Sequence, residues 1–597
     1  MKRFLLFFFA LFLIFRPFID GLTYSVIQHL FEISTLCVAL FFAGAVLAGF
    51  ARYQRTGVEL PALLFFLFIL AGSFFTTSPY RTAVIDLQYL YYFLLFFLFY
   101  QLASTEELGH QKKGIKKSDK SERFPEVKRV LVPIILFTGF LVSLYGIHQY
   151  FWGFRDTLNY LSERGLLKGT SPDLLARIYS KRAFATFVYP NIFAAYLITL
   201  IPLTFSFAFA NGIPWKKDEE TNWNLLFGIP LLLLLFLALF TTKSAGGLII
   251  FFSVTILWLV TLQLTKKGVK NSGKQPAFFL IILVVAIVFL TLYSSGFFSK
   301  ALSLRDRLFY WLSSFQIWTH RPLFGFGSGT FGLHYARFKM PLALETQHSH
   351  SIFFEMLAEN GILCLATFFW FWLLVLKKIW KNARSPIEKG IFWGVLTLFL
   401  HSQIDFDLAD PSLATYLFLL PALVPDKSEP KPLSDKKRRE NLLLTRITAG
   451  IIILTMLLAG LRLFRIFRSE RYYQRALASL SAGGVEEGMV YLHKASALEP
   501  RNAFYPLTSG NVCYKLGIVT GNLDSLYQAI NYYQKAVELE PFGASFRFRL
   551  GEAALAISKI SGNQDWKEYA KLCFEAAVRL YPTKKEYRER WLQTLKR

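Results

Sequence analysis

The chain has 597 residues, of which 54% are hydrophobic, 17% aromatic and only 18% charged, a balance that excludes an ordinary water-soluble protein. Its 66 Lys and Arg against 40 Asp and Glu give a formal charge of +26. These cations sit mostly in short loops between apolar runs, the positive-inside distribution of membrane proteins, so a nucleic-acid partner is excluded.

Apolar runs of about 17–25 residues recur through the first three quarters, each long enough to cross ~30 Å of hydrocarbon. Lipid offers no partner for an unpaired amide, so the spans are expected to be helices. Met1-Lys2-Arg3 followed by Phe4–Phe15 resembles a signal peptide without a small-residue cleavage site and reads as an uncleaved first helix. Spans are expected near 4–20, 28–51, 59–77, 82–104, 130–152, 190–210, 224–241, 246–263, 277–296, 361–381, 389–403, 412–425 and 446–463. The fold class is therefore all-α, a polytopic bundle of about 12 or 13 spans.

With the N-terminus inside, alternation puts the basic loops on one side. The loop 104–129 carries Lys112, Lys113, Lys116, Lys117 and Lys120, and the loop 426–446 carries Lys436, Lys437, Arg438 and Arg439. Loops 153–189, 297–351 and 402–412 then face outward. The longest, 297–351, is too long for a connector and is the expected catalytic loop. Arg462, Arg465, Arg468 and Arg471 flank the outer end of the last span, so positive charge lies on both its sides.

Three units are expected: a membrane core over 1–425, a basic linker and final span over 426–468, and an outward-facing helical domain over 469–597. In the last, Gly488-x3-Leu492-x2-Ala495-x4-Pro500 recurs as Ala529-x3-Tyr533-x2-Ala536-x4-Pro541 and Ala570-x3-Phe574-x2-Ala577-x4-Pro582. This resembles tetratricopeptide repeats lengthened by several residues, an α-solenoid whose concave surface takes a protein partner.

The four cysteines, Cys37, Cys364, Cys513 and Cys573, are scattered without CxxC or nearby His. No metal, disulfide framework or cofactor is expected. Gly327-Ser328-Gly329-Thr330-Phe331-Gly332 matches a dinucleotide fingerprint but lacks the strand and the acidic residue that reading needs. Its glycines fit a tight turn, with backbone amides facing an anion. Around it lie Arg305, Arg307, Trp311, Arg321, His348 and His350. A guanidinium fork suits a pyrophosphate, and an imidazole beside it can take a proton from an attacking hydroxyl. Each has a bland alternative: the arginines can snorkel to headgroups, His350 can cap the next helix, and His401 and Asp405, four apart, can be a structural pair on one helical face.

In order, Arg307-x3-Trp311, Pro322-x2-Gly325-x-Gly327 and His350-Ser351-Ile352-Phe353-Phe354 with Glu359-x-Gly361 resemble the core of the O-antigen ligase/polymerase family of bacterial membrane glycosyltransferases. Arg182 to Asn191 and His401-x3-Asp405-Phe406 resemble its flanking stretches. Ser351 stands where the family usually has Asn, and Lys243-Ser244-Ala245-Gly246-Gly247 lacks the usual Arg. The resemblance implies a GT-C-like enzyme in the bacterial cytoplasmic membrane, with a metal-independent transfer from a polyprenyl-pyrophosphate-linked glycan. Arg307 and Arg182 would hold the pyrophosphate, and His350 would be the general base. Arg321, His348, Trp311, His401 and Asp405 would bind substrate. The acceptor, whether lipid, growing glycan or protein, is left open, as is ligase against polymerase. A transporter of the same lipid-linked sugar and an inert scaffold are the alternatives outside this class.

Overall fold

The computed structural model describes residues 2–19, 25–112, 126–210, 223–265, 301–426 and 435–595, which contain helices and no β-strand. Among them, seven helices are long and apolar enough to cross a membrane. Shorter apolar helices, Glu59–Ser73, Ala245–Thr261 and Pro411–Ala422, together with Lys2–Phe15 and Pro386–His401, occupy other expected span positions. The expected span 277–296 lies outside the described residues.

Side-chain clasps pin both ends of the bundle. At one end Lys128 Nζ meets Glu388 Oε1 at 2.5 Å, Lys378 bonds the Thr56 carbonyl, and Gln101 exchanges hydrogen bonds with the backbone of Gln54. At the other, Thr186 donates to the Pro17 carbonyl at 2.6 Å and Ser412 to the Ile19 carbonyl at 2.7 Å. Between them packs an aromatic interior, with Phe65 stacked on Phe93 at 5.3 Å and Tyr92 on Phe418 at 5.4 Å.

The stretch expected as one long loop is largely helical, with helices Ala301–His320 and Phe331–Phe338. The span expected at 361–381 begins earlier, in a helix Ile352–Asn382 broken at Gly361 (φ 74°, ψ −178°). The break lets the glycine turn reach the helix axis: a Cβ on Gly361 would sit 2.3 Å from the Leu323 carbonyl, and one on Gly325 would sit 2.1 Å from the Glu359 carbonyl.

Beyond the core, a single 47-residue helix, Asp435–Ser481, about 70 Å long at 1.5 Å per residue, runs across the expected unit boundary at 468/469. It packs along Ser25–Leu47, and Ser25 donates to Glu470 at 3.2 Å. Antiparallel helices follow, and Pro500, Pro541 and Pro582 lie just after the helices Val485–Leu498, Leu523–Leu539 and Gln564–Leu580. The packing repeats with the sequence. Gly510 leaves room for Tyr533, and 41 residues on Gly551 leaves room for Phe574. Left-handed Gly521 and Gly562 each precede an Asn, Asn522 or Asn563, whose side chain caps the next helix.

Gly361→Ala tests the close approach. Its backbone region alone costs about 1–3 kcal/mol for a residue with a Cβ, and the Leu323 carbonyl adds a clash. The thermal midpoint in detergent should fall well below wild type, whereas Gly450→Ala, in open space on a helix, should leave it unchanged. Equal midpoints would contradict the account.

Candidate active site

The chain leaves the helix Pro386–His401 and turns immediately, because the Ile404 and Asp405 amides both bond back to the His401 carbonyl. That turn carries the Asp405 carboxylate, 1% exposed, to a point where three separate segments meet. Oδ2 accepts from Arg307 Nη2 at 2.8 Å and from Asn191 Nδ2 at 2.7 Å. Oδ1 lies 3.1 Å from His350 Nδ1 and 3.0 Å from the Phe406 amide. Burial alone would raise the carboxyl's pKa, but His350, Arg307 and His401 together hold it well below the usual carboxylate range.

His350 is placed by strain and by its neighbours. Its backbone is left-handed, φ 54°, and the helix cap is not His350 but Ser351, whose hydroxyl accepts from the Phe354 amide. The Ile352 amide donates to the Ser402 carbonyl at 2.9 Å, fastening the His350 and Asp405 segments together. The imidazole stacks on Tyr310 at 5.4 Å and meets the Phe406 edge at 4.7 Å. His348 also stacks on Phe406, at 5.2 Å, and bonds Glu355 at 2.8 Å.

Arg182 joins through Asn191. Its Nη2 donates to Asn191 Oδ1 at 2.8 Å and its Nε to the Thr242 carbonyl at 3.1 Å, and burial lowers its pKa. Next to it begins the helix Ala245–Thr265. A Cβ on Gly246 would be 3.6 Å from Arg307 Nη1 and 3.9 Å from His401 Nε2. Arg307 thus lies beside the positive end of a long helix, a favourable place for an anion. Lys243, in the stretch without the usual Arg, donates to the Ser180 carbonyl at 3.3 Å and lies over the Tyr150 ring.

The expected pair of His401 with Asp405 is corrected. The helix ends at His401, so the four-residue spacing no longer shares a face, and His401 Nδ1 bonds Asp407 Oδ2 instead, at 2.7 Å. Arg321 donates to the Phe75 carbonyl at 2.5 Å and covers the Phe326 ring. Trp311 stacks on Phe354 at 5.3 Å. Both are placed in packing roles.

The glycine turn does face an anion, and that anion is internal: the Gly329 and Phe331 amides both donate at 2.8 Å to the Glu359 carboxylate. Glu355 is likewise held by His348 and the Ser349 amide. Asn191 and Tyr310 were missed as site residues. Only the Pro190-Asn191 dipeptide signalled the first, and Tyr310 reads in sequence as one more aromatic.

His348 should show in the pH dependence of stability. Burial lowers its pKa, but the Glu355 carboxylate outweighs this and raises it overall. A raised folded value means the stabilisation is fully present below about 6.5 and is lost as pH rises through the folded value. The gap in thermal midpoint between wild type and His348→Gln should therefore be widest near pH 6 and narrow on the alkaline side. A gap independent of pH would contradict the clasp.

Residues 230–369, which include Arg307 and His350, match the O-antigen ligase family. The chain is also 24% identical over 263 residues to the ComP-specific O-oligosaccharyltransferase of Acinetobacter baylyi (strain ATCC 33305 / BD413 / ADP1). That similarity covers 42% of this chain and 44% of the relative, so the chain spans less than half of that protein's length. With Arg307 and His350 inside it, the matched stretch is similar to the O-antigen ligase family.

Proposed function

We propose that this protein transfers a saccharide from a polyprenyl-diphosphate carrier to an acceptor hydroxyl at the outer face of the bacterial cytoplasmic membrane. The observation that supports it most is the single carboxylate, Asp405, bonded at once to Arg307 and His350. The basic loops then lie inside, and the C-terminal helices, read as tetratricopeptide-like repeats, lie outside.

Each group has a defined part. Asp405, ionised, accepts the Nδ1 proton of His350 and so leaves Nε2 as the base. The donor diphosphate sits between Arg307, Arg182 and the start of the helix Ala245–Thr265, where cations and helix dipole oppose its charge. The acceptor oxygen bonds the anomeric carbon as its proton passes to His350 Nε2. The bond from that carbon to the diphosphate oxygen breaks, and the guanidinium groups stabilise the charge building on the departing diphosphate. Attack from the face opposite the leaving group inverts the anomeric centre.

Ligase, polymerase and protein glycosylation differ only in who presents the hydroxyl. The name of the Acinetobacter relative favours a protein hydroxyl as the second reading.

His350→Ala should lower glycan transfer at least about 10²-fold while the protein still accumulates, folded, in membranes. A transporter or a scaffold would retain its function in that variant, and that result would overturn the proposal.

A further inference from the structure

A cavity of about 420 Å³ opens beside the Asp405 cluster, between the starts of the helices Ser25–Leu47 and Ile352–Asn382 and the outer part of Pro79–Lys112. Its size is that of a small-molecule site. Phe406 and His348 line it, and Phe406 is also the ring against which His350 rests. Phe406 therefore borders both the cavity and His350.

The lining distinguishes the two substrates by charge. Glu32, Glu355, Glu359 and Glu470 face it with Arg81, His29 and His348. Each of these basic groups is already paired with a carboxylate, Arg81 with Glu540 at 2.7 Å, His29 with Glu32 and His348 with Glu355, so the described lining offers a diphosphate no unpaired cation. The carboxylates are fixed in advance: Glu32 accepts from Gln28 at 2.8 Å and pairs with His29 at 2.8 Å. Gln88, Tyr80 and Tyr89 complete a wall of amides, phenols and ring faces, suited to the hydroxyls and C–H faces of a sugar.

The C-terminal helices hold part of this wall. Glu540, 2% exposed, accepts from Ser78 at 2.6 Å as well as from Arg81, and Phe504 lies under the Arg81 guanidinium at 4.8 Å. Glu470 comes from the long helix that leads into them.

We infer that this cavity receives an uncharged saccharide end of the acceptor, apart from the seat of the donor diphosphate. The inference rests on the transferase reading above. It names the acceptor class and the wall that holds it.

Val84, on that wall, can be replaced to fill the space. Two quantities are measured on purified Val84→Trp. The first is binding of a long-chain polyprenyl diphosphate, read as a thermal shift. The second is transfer as a function of added envelope glycan extracted from a strain lacking the protein. Diphosphate binding should stay within twofold of wild type, while the half-saturating glycan concentration rises at least tenfold. Gly450→Ala, outside the cavity and with open space around it, should change neither by more than about twofold. A Val84→Trp protein that binds diphosphate and shows the wild-type glycan curve overturns the inference. If that variant fails to bind diphosphate, Gln88→Leu decides by the same two measurements, with a rise of at least threefold expected. Wild-type protein that neither binds the diphosphate nor transfers glycan would instead overturn the transferase reading.

Discussion

Asp405 is a charge placed almost wholly out of water, and it is tolerable only because Arg307, Asn191, His350 and the Phe406 amide surround its two oxygens. A buried ion left without such partners costs several kcal/mol. The requirement runs both ways: the carboxylate needs its donors, and the donors are thereby fixed. Arg307 comes from the helix Ala301–His320, His350 from a left-handed residue before another helix, and Asn191 from the start of a third. One ion thus brings together distant segments.

The surrounding scaffold serves that arrangement by close backbone approach. Gly325 and Gly361 allow the turn at 323–329 to lie directly on the broken helix Ile352–Asn382. Glu359, just before the break, fills the turn's amides with its own carboxylate. This rigid corner is braced from outside by the C-terminal helices: Phe542 packs on His334 at 4.7 Å, and Lys584 bonds Glu345 at 2.7 Å.

Much of this was legible in the sequence. Hydropathy placed the spans, because the 3.6-residue helix and the membrane thickness leave few alternatives. The spacing from Arg307 to Gly361 singled out Arg307 and His350, two of the groups that meet at Asp405. The role of Asp405 was not legible. His401-x3-Asp405 reads as one helical face, and nothing in Ser402-Gln403-Ile404 announces that the helix stops. The break at Gly361 was hidden as well, since apolar residues continue through it and only the approach of Leu323 requires glycine there. Nor did composition show that Asp435–Ser481 is one helix: its apolar and basic parts differ in solvent, not in backbone.

The most direct test of the central claim is a double-mutant cycle on transfer, with His350→Ala, Asp405→Ala and both together, each checked for folding. If Asp405 acts by organising His350, Asp405→Ala should cost far less in kcat/KM in the His350→Ala background than in wild type. Equal losses in the two backgrounds would show that the residues act independently, and would contradict the account.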